Sequence, residues 1–493
     1  MPDWIATRFP PDHRGPTGRP FTPFPDANLG VPVLALLQAA ATRHPHHIAI
    51  EDPSGPTTFA ALWSAITRLA HALAPTPGPI AILLPPTADY AIAIFATLAA
   101  GRIALLLDAT HPADRNAAIA ARAGATQTLT AIDAPPPPDG PLPTLPQDAP
   151  ALLLPTSGST GHPKIIAHSQ RTMLHWVRTI ANALHLTPDD RILSISSPAS
   201  LGGLTALLTA PLAGASIQIL GLQTGGFATL LDTLRTRPIT ILRAGPSHLR
   251  TLVQLPRAGD AFARLRVVQT YGEPLLHADL ALLRPHLAPG CHIRSTYGAT
   301  EASGLAWFAG PPDDHDPIRV ATGTLMPDTT AQIRDEQGRL CPPNQPGELL
   351  IRSPYNALGE WQDGVLTPAS RIHATGDLAR CTPDGVFTVL GRRDRMVNIN
   401  GQRAEPAEIE AVLRRNPHIL QAAIVARQTG ATATFLAFAV PRAEAPPNLA
   451  NHLRTELRAN LPPFLQPSRL VLLDALPLLP GGKLDEAALL AIL

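Results

Sequence analysis

Leu154-Pro-Thr-Ser-Gly-Ser-Thr-Gly-His-Pro-Lys164 decides how the rest of this chain is read. An apolar strand, Ala151-Leu-Leu-Leu154, runs into a loop of glycines and small hydroxyl residues that closes on a lysine. Such a loop offers backbone N–H groups, several hydroxyls and one cation, which is the donor set a polyphosphate needs. Thr156, Ser157, Gly158, Ser159, Thr160, Gly161 and Lys164 are therefore candidate phosphate ligands. A bare Gly-Ser-Thr-Gly would read as a flexible turn, but the preceding strand, the hydroxyl density and the lysine together favour a binding loop. Pro163 stands where a GxxxxGK[ST] loop requires glycine, so that kind of phosphate loop is excluded. Ser159 lies in no G-x-S-x-G elbow, which leaves a serine hydrolase unsupported.

Outward from this loop, helical and strand patterns alternate. Leu34, Leu37 and Ala41 recur at helical spacing, Ile80-Ala-Ile-Leu-Leu84 reads as a buried strand, residues 87–100 as a helix and residues 103–107 as another strand. This alternation predicts a largely parallel α/β layer structure. The Pro-rich stretch 134–150 punctuates the series without ending it. At Gly391-Arg-Arg-Asp-Arg395 the composition turns charged, and a compact unit follows: a helix opened by Pro406, strands over 422–426 and 435–440, and an amphipathic helix over 449–461. The expected organisation is a loose arm over 1–30, a large α/β N-terminal domain of layered sheets and helices over 31–393, and a small mobile C-terminal α+β domain over 394–493.

Bulk composition narrows the function classes. The 493 residues exceed what one core supports, and a hydrophobic fraction of 45% is that of a globular protein. A formal net charge of +1 supplies no field for nucleic acid or anionic lipid. Three scattered cysteines, Cys291, Cys341 and Cys381, form neither a disulfide framework nor a zinc motif. Eighteen histidines invite a metal reading, yet His44, His46 and His47 are crowded in an expected loop and do not read as a ligand set. The longest apolar run, residues 90–107, is interrupted by Gly101 and Arg102, which favours a buried helix and strand over a membrane span. No secretory signal opens the chain, so a cytoplasmic location is expected.

The 154–164 segment resembles the phosphate-binding loop of the adenylate-forming superfamily of acyl-CoA synthetases, peptide-synthetase adenylation domains and luciferases. Further matches follow in that family's order: Thr296-Tyr-Gly-Ala-Thr-Glu301, Thr375-Gly-Asp377, Gly391-Arg-Arg-Asp394 with Asn400-Gly-Gln-Arg403, and Leu479-Pro-Gly-Gly-Lys483. The resemblance spans the chain from about Val31. It implies ATP with Mg²⁺ as cofactors, a carboxylic acid as substrate, and phosphopantetheine or CoA as thiol acceptor.

The roles it implies make chemical sense residue by residue. Tyr297, followed by Gly298, offers a flat ring to adenine, and Gly272, Glu273 and Pro274 would line the other edge through backbone. Thr300 can donate to a phosphate oxygen, and Glu301 supplies the hard oxygen that Mg²⁺ prefers. Asp377 would accept the ribose hydroxyls, with Arg392 as an added donor. Lys483 would be the main catalytic residue, offsetting the charge built when a carboxylate attacks the α-phosphate. Asp394 falls at the family's hinge, and Gly401 and Arg403 at the loop that admits the thiol arm. Asn398 departs from the lysine common there.

The acid pocket is less determined. Leu201 falls where amino-acid-activating relatives place an aspartate, so an α-amino acid is not expected. Gln269, Thr296, Gly304 and Leu305 complete the lining, and a modest, mostly apolar cavity for a small aryl, keto, hydroxy or short acyl acid is expected. The tail Leu461-Pro-Pro-Phe-Leu-Gln-Pro-Ser468 resembles adenylation domains that load carrier proteins, placing a free-standing carrier ahead of CoA. Two other classes remain: a nucleotide-binding homologue without turnover acting as partner or regulator, and an oxygenase on the same fold. Lys483, Glu301, Thr300 and Asp377 occurring together argue against the first.

Overall fold

The computed structural model describes residues 4–7, 9–73, 77–132, 142–143, 145–156, 163–256, 258–310, 316, 318–393, 397–399, 402–404, 406–429, 432–461, 465–478 and 484–492. Two large sheets and a helical layer make up most of it. The first sheet has nine strands in the order Thr324–Leu325, Ser303–Phe308, His292–Gly298, Val267–Thr270, Ile241–Arg243, Arg191–Ser194, Ser216–Ile219, Ile48–Asp52 and Gly55–Thr58. Its six consecutive strands from His292–Gly298 to Ile48–Asp52 run parallel. The second sheet has seven strands, with a parallel part formed by Pro150–Thr156, Ala104–Leu106, Ile80–Ile82 and Gln127–Leu129.

Both sheets share one core with the helices Val33–Arg43, Phe59–Ala72, Ala88–Ala99, Gln170–Leu184 and Leu201–Leu212. The helix Ala88–Ala99 is buried at nearly every position. That explains why its sequence is apolar all round, and why the 90–107 run is a helix and a strand. No helix among the described residues is long and apolar enough to cross a membrane. Helix starts obey local chemistry: Thr58, Ser169 and Ser200 each accept a backbone N–H with the side chain at the cap.

A third sheet was not legible in the alternation. It is antiparallel throughout, in the order Ile5–Ala6, Thr330–Arg334, Gly347–Arg352, Ile372–Cys381 and Phe387–Arg392. Its core holds Ile333, Leu349, Ile351 and Phe387. Beyond it, the helices Pro406–Arg415, Leu449–Asn460 and Glu486–Ala491 lie with a three-stranded sheet of Ile419–Thr429, Thr432–Pro441 and Arg469–Leu472. This unit has a core of its own, built around Ile409, Leu413, Ile424, Phe435 and Leu453.

The N-terminal arm is a correction. Expected to be loose, its described residues are anchored. Ile5 pairs with Ala331, and Arg19 reaches the buried Asp190 at 3.1 Å. His185 contacts Asp12 at 2.8 Å and stacks on Phe21 at 3.9 Å. Charged and aromatic anchors spaced along a polar, Pro-rich segment give no periodic signal, so the docking could not be read from sequence.

Candidate functional site

The YGATE and TGD segments meet across the boundary between two sheets. Tyr297 is the next-to-last residue of the strand His292–Gly298, and Asp377 lies within Ile372–Cys381. The phenol of Tyr297 donates to Asp377 Oδ2 at 2.5 Å. Burial, and then the neighbouring Asp377 charge, hold that phenol well above the usual tyrosine range. Arg392 faces Asp377 in register on the adjacent strand, its Nε 3.7 Å from Oδ1, and it donates through Nη1 to the Thr375 carbonyl at 3.0 Å. Gly376, inside the same strand as Asp377, has φ of 71°, a conformation glycine adopts without strain.

Thr300 and Glu301 sit in the tight turn that joins Tyr297 to the next strand, closed by reciprocal backbone bonds between Ala299 and Ala302. The half-buried Glu301 carboxylate has no hydrogen-bond or ion-pair partner among the described residues. A single such carboxylate, completed by phosphate oxygens and water, is the donor set Mg²⁺ takes, so the residues fit that ion. His373, missed in the sequence reading, lies close enough to Glu301 and Asp377 to feel both charges. Burial lowers its pKa while the two carboxylates pull it back up. Only its place two residues before Thr375 could have drawn notice.

On the other flank, Gly272, Glu273 and Pro274 follow the strand Val267–Thr270 and are exposed. The Glu273 carboxylate accepts the Ser247 backbone N–H at 3.2 Å and the Ser247 hydroxyl, and pairs with Arg250 at 3.4 Å. With its side chain held there, Glu273 offers a ligand its backbone. The Tyr271 hydroxyl meets Ser196 Oγ at 2.7 Å. Gly202, beside Leu201 in the first turn of its helix, leaves room for that ring: a Cβ there would stand 2.6 Å from Tyr271 Cε2.

Gln269, Thr296 and Gly304 share the face that looks toward that helix. Thr296 donates to the Thr270 carbonyl at 2.7 Å, and a Cβ on Gly304 would strike the Tyr297 carbonyl oxygen at 2.4 Å. Leu305 does not join them. The pleat turns it to the opposite face, where it is fully buried in the core of the antiparallel sheet and pairs with Leu325. Arg243 and Arg294, absent from the sequence reading, stand on either side of Gln269. Their signal was an arginine closing an apolar run, in Ile241-Leu-Arg243 and again in Ile293-Arg294.

Thr156 and Lys164 face each other across an antiparallel pair, with Lys164 exposed. Ser157, Gly158, Ser159, Thr160 and Gly161 lie outside the described residues, as do Asp394, Gly401 and Lys483. Arg403 is described in backbone only, paired with Asn398.

Comparison with known proteins matches two family models. "AMP-binding enzyme" covers residues 37–140 and 130–361, and "AMP-binding enzyme C-terminal domain" covers 408–483. Phosphinothricin tripeptide synthetase PhsC of Streptomyces viridochromogenes is 34% identical over 92% of this chain. CymA of Salinispora arenicola, described as a probable non-canonical nonribosomal peptide synthetase, is 31% identical over 94%. The chain spans only 44% and 6% of those two proteins. In three dimensions, the anthranilate CoA ligase AuaEII, solved with anthranoyl-AMP, superposes with a TM-score of 0.81. That match covers 94% of this chain and 97% of the other at 18% identity, and establishes a shared fold.

Proposed function

Because the chain belongs to the AMP-binding enzyme family of adenylate-forming ligases, we propose that it activates a carboxylic acid with ATP and passes the acyl group to a thiol. In the first half-reaction a carboxylate oxygen bonds to the α-phosphorus, the bond to the bridging oxygen breaks, and pyrophosphate leaves. In the second, a thiolate attacks the acyl carbonyl carbon, the bond to AMP breaks, and the thiol proton passes to solvent. The acceptor is the phosphopantetheine of a free-standing carrier protein in preference to CoA. PhsC and CymA are named as peptide synthetases and AuaEII as a CoA ligase, so the family accommodates both acceptors.

The observation that carries this reading is the meeting of Tyr297, Asp377 and Arg392 beside the Glu301 carboxylate, which has no hydrogen-bond or ion-pair partner among the described residues. Tyr297 stacks on adenine, with the backbone of Gly272, Glu273 and Pro274 along the other edge. Asp377 accepts from the ribose, and Arg392 adds a donor. Thr300, the loop over 156–161 and Lys164 hold the phosphates. Mg²⁺, when bound, neutralises phosphate charge, and Glu301 is the residue that holds it. Lys483 reaches both reactants and offsets their repulsion without moving a proton. The boundary near Asp394 serves as the hinge, letting the C-terminal unit withdraw Lys483 and bring Gly401 and Arg403 to the thiol arm. The same reading places the enzyme in the cytoplasm.

Carboxylate-dependent release of pyrophosphate from MgATP tests this, across aryl, hydroxy, keto, dicarboxylic, fatty and amino acids. Release with one subset, followed by acyl transfer to added CoA or a pantetheinylated carrier, is the expected result. ATP binding without release for any acid would favour a nucleotide-binding homologue acting as a partner or regulator.

A further inference from the structure

A polar row crosses four parallel strands, at or next to the carboxyl ends of three and inside the longer fourth. Ser194, Arg243, Gln269 and Arg294 are register partners across Arg191–Ser194, Ile241–Arg243, Val267–Thr270 and His292–Gly298. Residues paired in this way project from one face of the sheet. All four are buried, with Arg243 3% and Arg294 1% exposed, and Arg294 is the bulkiest fully buried side chain among the described residues. Arg243 donates from Nη2 to Thr205 Oγ1 at 2.9 Å, and its guanidinium lies 5.5 Å from the Tyr271 ring centre. Arg294 lies 5.7 Å over Phe308. Nε and Nη1 of both arginines, Ser194 Oγ and Gln269 Oε1 have no partner among the described residues.

Two buried guanidiniums with no carboxylate between them among the described residues are an unfavourable arrangement, because a buried charge is retained where something pairs with it. Burial, and then Arg243, push Arg294 down to about 9, which leaves it charged at neutral pH. The row lies toward the carboxyl edge of the sheet, the edge at which parallel α/β sheets take ligands. Thr296 is two residues along the strand from Arg294, about 7 Å, and Tyr297 comes next.

We propose that Arg243 and Arg294 form a subsite for a second anionic group, a carboxylate or an equivalent oxyanion, at the far end of a short acid activated at this site. The inference rests on the adenylation reading and replaces the expectation of a mostly apolar pocket. Guanidinium forks match a carboxylate's two oxygens, and the group would satisfy the four orphaned N–H positions together. A neutral acid of the same length leaves them unpaired. Sites built to hydrogen-bond a ligand group reject the analogue that lacks it far more strongly than apolar pockets do.

The test compares succinate, glutarate, 2-oxoglutarate and phthalate, each beside its monoamide, in pyrophosphate release and in calorimetric binding to the ATP-free protein. At least one diacid is expected to exceed its monoamide by more than about 100-fold in kcat/KM, beyond what an apolar pocket achieves, with the preference levelled in Arg243→Met and Arg294→Met. Those variants should hold or raise the melting temperature of the unliganded protein, since each removes an unpaired buried charge. A fall in both would mark the arginines as structural and overturn the subsite. Equal or better use of monoamides and other neutral acids would overturn it while adenylation stands. Diacid binding lost in the variants, without release for any acid, would leave the anion site and remove adenylation. Neither binding nor release would overturn both.

Discussion

Tyr297 and Asp377 stand 80 residues apart in the chain, yet the phenol donates to the carboxylate at 2.5 Å. The contact joins the strand that ends the parallel sheet to the antiparallel sheet that follows, so the proposed adenine and ribose contacts are held as one unit. Tyr297→Phe keeps the ring and loses the donor. It is expected to raise the KM for ATP several-fold, in line with about 1 kcal/mol for a lost hydrogen bond. Asp377→Ala should cost more than tenfold. The double variant should fall short of the sum, and strict additivity in ATP titrations would show the two to be uncoupled.

Glu301 is the proposed protein ligand for Mg²⁺. Chelation should abolish pyrophosphate release, and Glu301→Gln should shift the Mg²⁺ titration at least about tenfold higher, since the amide keeps an oxygen but loses the charge. A superimposable titration would remove the assignment.

Lys483→Ala is expected to slow adenylation by about 10² to 10³ while ATP binding is kept, the usual cost of deleting one electrostatic group from a reaction centre. Single-turnover formation of acyl-AMP separates that step from thiol transfer. Unchanged adenylation would place the catalytic cation elsewhere.

His168 supplies a pH prediction. It is buried against Trp176 with both ring nitrogens unpartnered among the described residues, and burial pushes its pKa down from 6.5 to about 3. Between those values the unfolded chain binds a proton that the folded one does not. Its contribution to stability is therefore full above pH 6.5 and is lost as pH falls toward 3, at up to about 1.4 kcal/mol per pH unit. Urea midpoints measured from pH 7 to 4 should drop less steeply in His168→Leu than in the parent protein. Identical slopes would mean that His168 does not titrate in that window.

Much of the architecture was local in the chain and so legible there. The buried helix Ala88–Ala99 and strand Ala104–Leu106 follow from an apolar run broken by Gly101 and Arg102. The helix opened by Pro406 and the strands after it follow from periodicity. The antiparallel sheet was missed because its strands are of mixed polarity, and pairings such as Gly347–Arg352 with Ile372–Cys381 leap over intervening chain. The docked arm was missed because its anchors are isolated side chains.

Sequence alone determined the membership of this chain in its family, because motifs such as Tyr297-Gly-Ala-Thr-Glu301 and Thr375-Gly-Asp377 are contiguous and their order is a property of the chain. It named Tyr297, Asp377 and Arg392 without any means of joining them. Tertiary structure alone decided that Asp377 accepts from Tyr297, that Leu305 turns away from Gln269, and that Arg243 and Arg294 share a dry face. The physical reason is register. Strands 25 or more residues apart in sequence become neighbours only in the folded sheet, and which side chains then face one another depends on pairing and pleat.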